Sequence, residues 1–218
     1  MKRLLFFGLM TLAALPAKAQ QPIVPEPEPG QNYYPAYSYN PNYKGFHLGF
    51  YSGMWFPNGR LSLLGNHPYA GVQLGFANRN LMLSLSVAAR FLKSANTFTT
   101  KKDDSLYASR HYSAGYFGVD GSYNLYKKGR HEWDAEAGAG VEAILAFSVK
   151  RPGDENKTTH SLYSPNINMG IGYKYWFKGA YIGLDLKYNL LFFSNEDATD
   201  FTGNAITIGL CFGGIAIP

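Results

Sequence analysis

The chain has 218 residues, with 20 Lys and Arg against 15 Asp and Glu, and one cysteine. A single cysteine, Cys211, excludes an internal disulfide and disfavours a redox or metal role. Three of the bases (Lys2, Arg3 and Lys18) lie in the first 19 residues, so the remainder carries 17 bases against 15 acids. This small excess does not support nucleic acid as a partner, and the 17 Tyr, 15 Phe and 24 Gly suit an all-β chain.

Residues 1–19 have the layout of a secretory signal peptide. A basic pair comes first, an apolar run follows over 4–15, and Ala17-Lys18-Ala19 matches a cleavage site. The apolar run is too short to span a bilayer as a helix. We therefore predict an exported protein whose mature chain begins at residue 20.

Segment 20–43 is rich in proline and contains the run Pro-Glu-Pro-Glu-Pro. Proline this dense neither pairs in a sheet nor forms a helix, so we predict a disordered arm. The arm is interpreted as a spacer before the folded domain, and a tether for a protein partner is the alternative.

The remainder of the chain alternates apolar residues with small or polar ones, which is the period of a β-strand. The clearest case is 131–148, where odd positions from Trp133 to Phe147 are apolar and even positions carry four acids. Its Ala and Glu residues would also suit a helix, but Gly138 and Gly140 weaken that interpretation. Eight strands are predicted, at 45–54, 71–77, 81–91, 113–125, 131–148, 163–176, 180–190 and 204–213.

The connections between these strands alternate in length. Long connections are predicted at 57–68, 92–112, 150–161 and 194–202, and tight turns at 78–80, 126–130 and 177–179. An even strand count with this alternation indicates an antiparallel up-and-down barrel whose two ends face different compartments.

Alternation alone also fits a soluble, lipocalin-like ligand-binding barrel with its apolar face inside. Three features favour lipid outside: an inner face rich in Gly, Ser and Asn, which suits a crowded lumen; unequal connections; and aromatic residues near the strand ends. Hydrocarbon cannot satisfy backbone polar groups, so such a sheet must close. The predicted aromatic girdle comprises Phe46, Phe76, Tyr123, Trp133, Tyr173, Tyr175 and Phe212 near the tight turns, with Phe91 and Phe147 near the long loops.

The signal, strand count, alternation, loop asymmetry and the final strand ITIGLCF at 206–212 resemble the small eight-stranded outer-membrane barrels of the OmpA/OmpX type. The resemblance is architectural and covers 45–213. It implies a transmembrane β-barrel over 44–213 in the outer membrane of a Gram-negative-type envelope, with short periplasmic turns and long extracellular loops. Residues 214–218 form a predicted tail, so Phe212 is not the terminal aromatic that such barrels present to the insertion machinery.

Charged residues recur on the predicted inner face, beside His47. They are Arg90, Asp120, Glu132, Asp134, Glu136, Glu142, Lys174, Asp185 and Lys187. Paired carboxylates could serve acid–base chemistry or ion conduction. A salt-bridged plug is favoured, because eight strands leave a lumen only wide enough for side chains and buried charges persist when paired. Lys174 is expected at the level of Asp134 or Glu136 on the preceding strand, and Asp185 on the next strand is a further candidate partner.

The predicted role is structural, or in surface interaction through loops 92–112 and 150–161. Expected partners are outer-membrane lipid and the barrel-insertion machinery. The basic loop 92–112 is interpreted as a solvated loop, with binding of lipopolysaccharide or a protein as the alternative, and the arm is a further candidate for a protein partner. A narrow porin-like channel and a lipid-modifying enzyme are the alternatives. The five histidines show no ordered Ser–His–acid spacing, so no catalytic, cofactor or metal site is assigned.

Overall fold

The structure, a computed structural model, describes residues 44–102, 105–149, 157–177, 179–193, 201 and 203–216. The predicted signal peptide (1–19) and proline-rich arm (20–43) lie outside the described residues. No helix among the described residues is long and apolar enough to cross a membrane.

Eight antiparallel strands in chain order form a closed barrel, in which β1 also pairs with β8. This confirms the predicted strand count and up-and-down topology. A short 3-10 helix, Gly59–Leu64, lies between β1 and β2. The strands are β1 Lys44–Pro57, β2 His67–Asn78, β3 Leu81–Lys102, β4 Ser105–Lys128, β5 His131–Val149, β6 Lys157–Phe177, β7 Ala180–Leu191 and β8 Gly203–Ala216.

The outer wall of the barrel is apolar and exposed, whereas polar side chains are buried inside. Leu83 and Phe76 are 54% and 70% exposed, while His47 and Ser86 are fully buried. A soluble barrel would show the opposite arrangement, because water would face the wall. The exposed wall belongs in lipid, so the soluble lipocalin-like alternative is wrong.

Four of the strands are much longer than the others, which corrects the predicted loops. Pairing between β2 and β3 ends at Ala70 and Ala89, whereas pairing between β3 and β4 continues to Lys102 and Ser105. The predicted loop 92–112 is therefore mostly a β-hairpin. A register shift between Lys93 and Phe98 interrupts its alternation, which hides the strand from a period-two search.

Two further boundaries differ from the prediction. β6 begins at Lys157, inside the predicted loop 150–161, and β8 continues past Gly213 to Ala216, into the predicted tail. The final residues of β8 pair with β1 and lie near Gly179, whose carbonyl accepts from the Ile215 amide at 3.0 Å. These pairings explain why the strand does not stop at the last outward-facing aromatic residue.

We call the parts of β3 to β6 that continue beyond the ends of β2 and β7 the extension. Its outer face is mostly polar, apart from Leu145, Phe147 and Tyr163, and its inner face carries several large apolar side chains, whereas the lipid-facing wall is apolar outside and polar inside. Exposed outward residues include Asn96, Thr97, His111, Thr159 and Ser161, and buried inward residues include Phe98, Tyr112, Ile144 and Leu162. The inversion marks where hydrocarbon gives way to water.

We expect Leu85→Arg to lower the free energy of unfolding by about 2–4 kcal/mol, because arginine near the bilayer midplane places charge in hydrocarbon. Leu85 lies midway along the lipid-facing row of β3 and is 53% exposed. Urea titration of the refolded chain in phosphatidylcholine vesicles measures the change. Thr97→Arg, on the exposed outer face of the extension, is the control and should change little. Equal losses in both variants would contradict this placement of the bilayer.

Candidate functional site in the barrel interior

Among the described residues, the most buried ion pair joins β5 and β6. Lys174 Nζ lies 2.5 Å from Asp134 Oδ2, and the two side chains are 4% and 1% exposed. Lys174 also donates to Ser122 Oγ at 3.4 Å, and Asn124 donates to Asp134 at 3.3 Å. Asp134 pairs with Gly172 across the two strands, and Lys174 lies two residues beyond Gly172 on the same inward face. The ion pair and its hydrogen-bond partners thus come from three strands, β4, β5 and β6.

A second ion pair joins Lys187 of β7 to Glu136 of β5, at 3.1 Å. β6 lies between these two strands. The two side chains therefore meet on the lumen side of β6, above Gly170 and Gly172. A Cβ atom at Gly172 would lie 2.5 Å from a Glu136 carboxylate oxygen. The absence of side chains on β6 at this level therefore makes room for the pair.

Asp185 faces the same region of the lumen from β7. The thiol of Cys211 on β8 donates to Asp185 Oδ1 over 3.6 Å, a weak hydrogen bond. Cys211 itself is buried, at 4% exposure.

Asp120 is held by neutral donors rather than by a base. Tyr116 donates its hydroxyl proton to Asp120 Oδ1 at 3.1 Å, and the Asn168 amide donates to the same oxygen at 3.0 Å. Asn168 also donates to the Tyr116 hydroxyl at 3.1 Å. Three side chains from β4 and β6 thus form a closed polar triangle that satisfies a buried carboxylate.

Arg90 and Glu142 form an ion pair towards the extracellular end, and both side chains are almost fully buried. The Arg90 guanidinium also lies 4.6 Å from the centre of the Trp55 ring, which is a cation–π distance. A buried guanidinium is thereby shared between a carboxylate and an aromatic face.

The periplasmic end of the lumen combines aromatic and polar contacts. His47 Nε2 lies 2.8 Å from the Tyr181 hydroxyl, and its Nδ1 lies 3.1 Å from Ser84 Oγ. The Trp176 indole donates to Glu132 at 3.0 Å, and Lys127 pairs with the same carboxylate at 3.2 Å. A cavity of about 30 Å³ opens here, with Asp134, Lys174 and Trp176 among its lining residues.

The extracellular end of the lumen holds an apolar cluster, which we call the mouth core. It gathers buried residues from the strands, from the 3-10 helix after β1 and from the region after β7. Its members are Trp55, Leu61, Leu64, Tyr69, Phe98, Tyr112, Ala114, Ile144, Ala146, Leu162, Leu191, Phe193, Phe201 and Ala205. Leu61 and Leu64 are fully buried, and Phe201 packs edge-on against Phe98 at 5.3 Å.

Sequence reasoning missed the mouth core because its residues fall in predicted loops or on faces predicted to be polar. The available signal was the presence of large apolar residues, such as Leu61, Leu64 and Phe201, within long connections. Trp176 and Tyr116 were also overlooked as partners of the lumen acids.

The residues of the predicted aromatic girdle lie on the outer wall where their side chains are described. Phe76, Tyr123, Trp133 and Phe212 are each about half-exposed or more. Phe46 packs edge-on against Phe76 at 5.7 Å, and Trp133 packs against Tyr173 at 5.1 Å. Phe147 is exposed at the other end, Tyr175 is partly exposed, and the Phe91 side chain lies outside the described part.

The histidines lie in different parts of the barrel and have different partners. His67 contacts the Leu64 carbonyl at 2.5 Å, His160 contacts Thr100 at 3.1 Å, and His131 contacts the Tyr173 hydroxyl at 2.6 Å. His47 contacts a serine, Ser84, and its second nitrogen meets a tyrosine rather than an acid. Within the described residues, no group of three His, Cys, Asp or Glu side chains could hold a metal ion.

No protein-family model matches the chain, and no curated protein sequence matches it significantly. Solved structures do match in fold. Neisserial surface protein A, from Neisseria, superimposes with a TM-score of 0.55 at 10% identity, covering 79% of this chain and 97% of that one. The fold is that of the small outer-membrane β-barrels. A major outer membrane protein from Thermus thermophilus agrees, with a TM-score of 0.52 at 12% identity over 78% and 98% of the two chains.

We expect Lys174→Met to lower the free energy of unfolding by about 3–5 kcal/mol, because it leaves Asp134 buried without its counter-charge. Urea titration in detergent measures the loss. Adding Asp134→Asn to the same chain removes the orphaned charge and should recover part of the stability. Lys44→Met, at an exposed position of β1, is the control for loss of a single positive charge. An unchanged midpoint in Lys174→Met would show that the ion pair is not formed.

Proposed function

We infer that this chain is a closed outer-membrane barrel that displays the extension at the cell surface as a platform for interaction. The observation that carries the proposal is the stacking of two different barriers in one narrow lumen. Ion-paired side chains occupy the middle of the barrel, and the mouth core lies above them. Neither barrier suits ion flow, because paired charges fill the width of an eight-stranded lumen and an apolar constriction excludes hydrated ions.

The shape of the extension supports a role outside the cell. β3 continues for 13 residues past its last pairing with β2, from Ala89 to Lys102, which corresponds to roughly 40 Å of strand. The inner face of this sheet contributes Phe98, Tyr112, Ile144 and Leu162 to the mouth core, and its outer face presents mainly polar side chains to water. A sheet anchored in this way offers a firm surface, in contrast to a mobile loop. The name of the matched neisserial protein, a surface protein, agrees with this role.

Enzymatic activity has less support. The serine contacted by a histidine, Ser84, is 4% exposed and points into the barrel interior. A lipid substrate would have to pass the polar side chains of the lumen to reach it. We therefore assign no catalytic role to the histidines or the lumen acids.

We expect planar-bilayer recordings of the refolded chain to show no stable open level, because the paired charges and the mouth core obstruct the lumen. A regular, cation-selective conductance would instead support the porin-like alternative. Cation selectivity is the informative signature, since the inward-facing acids outnumber the inward-facing bases on the lumen strands. The acids are Asp120, Glu132, Asp134, Glu136, Glu142 and Asp185, and the bases are Arg90, Lys127, Lys174 and Lys187.

We expect Thr97→Cys, on the extension, to react with a membrane-impermeant maleimide on intact cells. Asn80→Cys, in the turn between β2 and β3, should react only after the outer membrane is permeabilised. The natural Cys211 is 4% exposed, so we expect little background labelling of the chain that carries no added cysteine. If the reagent labelled the turn in intact cells and did not label the extension, the barrel would have the opposite orientation in the membrane. That result would contradict the proposed surface role.

A further inference from the structure

The turn between β4 and β5 carries a group of basic and aromatic residues that the surface role does not use. Gly129 has φ of 59°, a left-handed conformation that favours glycine and permits a two-residue hairpin turn. Lys128 and Arg130 flank this glycine, and both are exposed. The turn closes the periplasmic end of the hairpin, and the backbone amide of Trp176 donates to the Arg130 carbonyl at 2.9 Å.

The turn lines an open cavity of about 460 Å³, together with residues of β4, β5 and β6. Its lining residues are Tyr126, Lys128, Gly129, Arg130, His131 and Tyr175. It is an open groove on the barrel surface and not an enclosed pocket. The lining contains two permanent cations and no acid, and among the described residues neither Lys128 nor Arg130 forms an ion pair. The cavity therefore has the charge of an anion-binding site.

The aromatic walls of the cavity are held in place by hydrogen bonds. Arg130 donates to the Tyr175 hydroxyl at 3.4 Å, and His131 Nδ1 lies 2.6 Å from the Tyr173 hydroxyl. The His131 ring also meets the Tyr175 ring edge-on at 5.2 Å. These contacts organise one wall, and the bond to Tyr175 uses one of the five N–H donors of the Arg130 guanidinium.

The cavity is continuous with the lipid-facing wall. Trp133 follows His131 on the outward face of β5 and packs against Tyr173 on β6, and both rings lie at the end of the apolar wall. Aromatic residues at this level occupy the membrane–water interface, where lipid phosphates lie. Guanidinium and ammonium groups bind phosphate oxygens through charge-assisted hydrogen bonds. A lipid whose phosphate enters the cavity would lay its acyl chains along Trp133 and Tyr173.

We propose that the β4–β5 turn binds an anionic phospholipid of the periplasmic leaflet, with Lys128 and Arg130 as ligands of its phosphate and Tyr126 and Tyr175 as walls. The site is separate from the extension, which lies at the opposite end of the barrel. Its basic groups match a phosphate that carries uncompensated charge. A zwitterionic headgroup brings its own cation into the same cavity and is therefore a poorer ligand.

The test is titration of the refolded full chain, in mild detergent, with phosphatidylglycerol, and measurement of lipid-bound protein by native mass spectrometry. Loss of two interfacial cations in Lys128→Ser/Arg130→Ser should weaken binding by about thirtyfold. The matched control is Lys44→Ser/Arg79→Ser, which removes two exposed cations from the same end of the barrel. It should weaken binding less than threefold. Lys128→Arg should retain full affinity, and heat-modifiable gel mobility verifies that every variant is folded.

Three results would overturn the proposal. Equal weakening in the two double variants would mean that the affinity for phosphatidylglycerol depends only on the net charge of the protein. Equal affinity for phosphatidylcholine would remove the requirement for an anionic headgroup. Displacement of the lipid by inorganic phosphate at similar concentration would mean that the cavity recognises a free anion and draws nothing from the acyl chains.

Discussion

The requirement that every backbone N–H and C=O group be paired within hydrocarbon determines the rest of this structure. Eight strands satisfy it only by closing on themselves, with β1 paired to β8. Closure of so few strands leaves a lumen of side-chain width, and any charge inside must therefore meet a partner within it. The glycines of β6 opposite Glu136 and Asp134 follow from the same restriction, since there is no space for side chains on both strands at that level.

Two kinds of apolar surface coexist in one molecule because the surroundings change along the strands. In the membrane, apolar residues point outward to lipid, and the interior is polar. Above the membrane, the extension returns to the arrangement of a water-soluble protein, with Ile144 and Leu162 inside and Thr159 and Ser161 outside. Within β5 the inner face alone changes: it carries acids from Glu132 to Glu142 and apolar residues from Ile144 onwards, while Leu145 and Phe147 keep the outer face apolar. The hydrophobic effect stabilises the mouth core by removing it from water into the protein, whereas it stabilises the wall by removing it from water into lipid.

The parts of the fold that follow a single period could be predicted from the sequence. The predicted β5, 131–148, differs from the observed strand by one residue, because its alternation is uninterrupted. The inward position of Lys174 follows from the same parity, but the identity of its partner depends on the register between β5 and β6, which periodicity does not supply. The hairpin of β3 and β4 was predicted as a loop because its outer face is polar and a register shift interrupts its period. The mouth core could not be predicted, because it joins residues distant in sequence through the closure of the barrel.

The mouth core also has a consequence for the kinetics of insertion. It collects residues from β1 through β8, so it assembles only after all of the hairpins have crossed the bilayer. Withdrawal of any long strand towards the periplasm would then require two steps at once: disruption of this packed cluster, and passage of the polar outer face of the extension through hydrocarbon. Both steps raise the barrier to extraction without altering the lipid-facing wall. The inserted state is thus retained by its slow rate of escape as well as by its equilibrium stability.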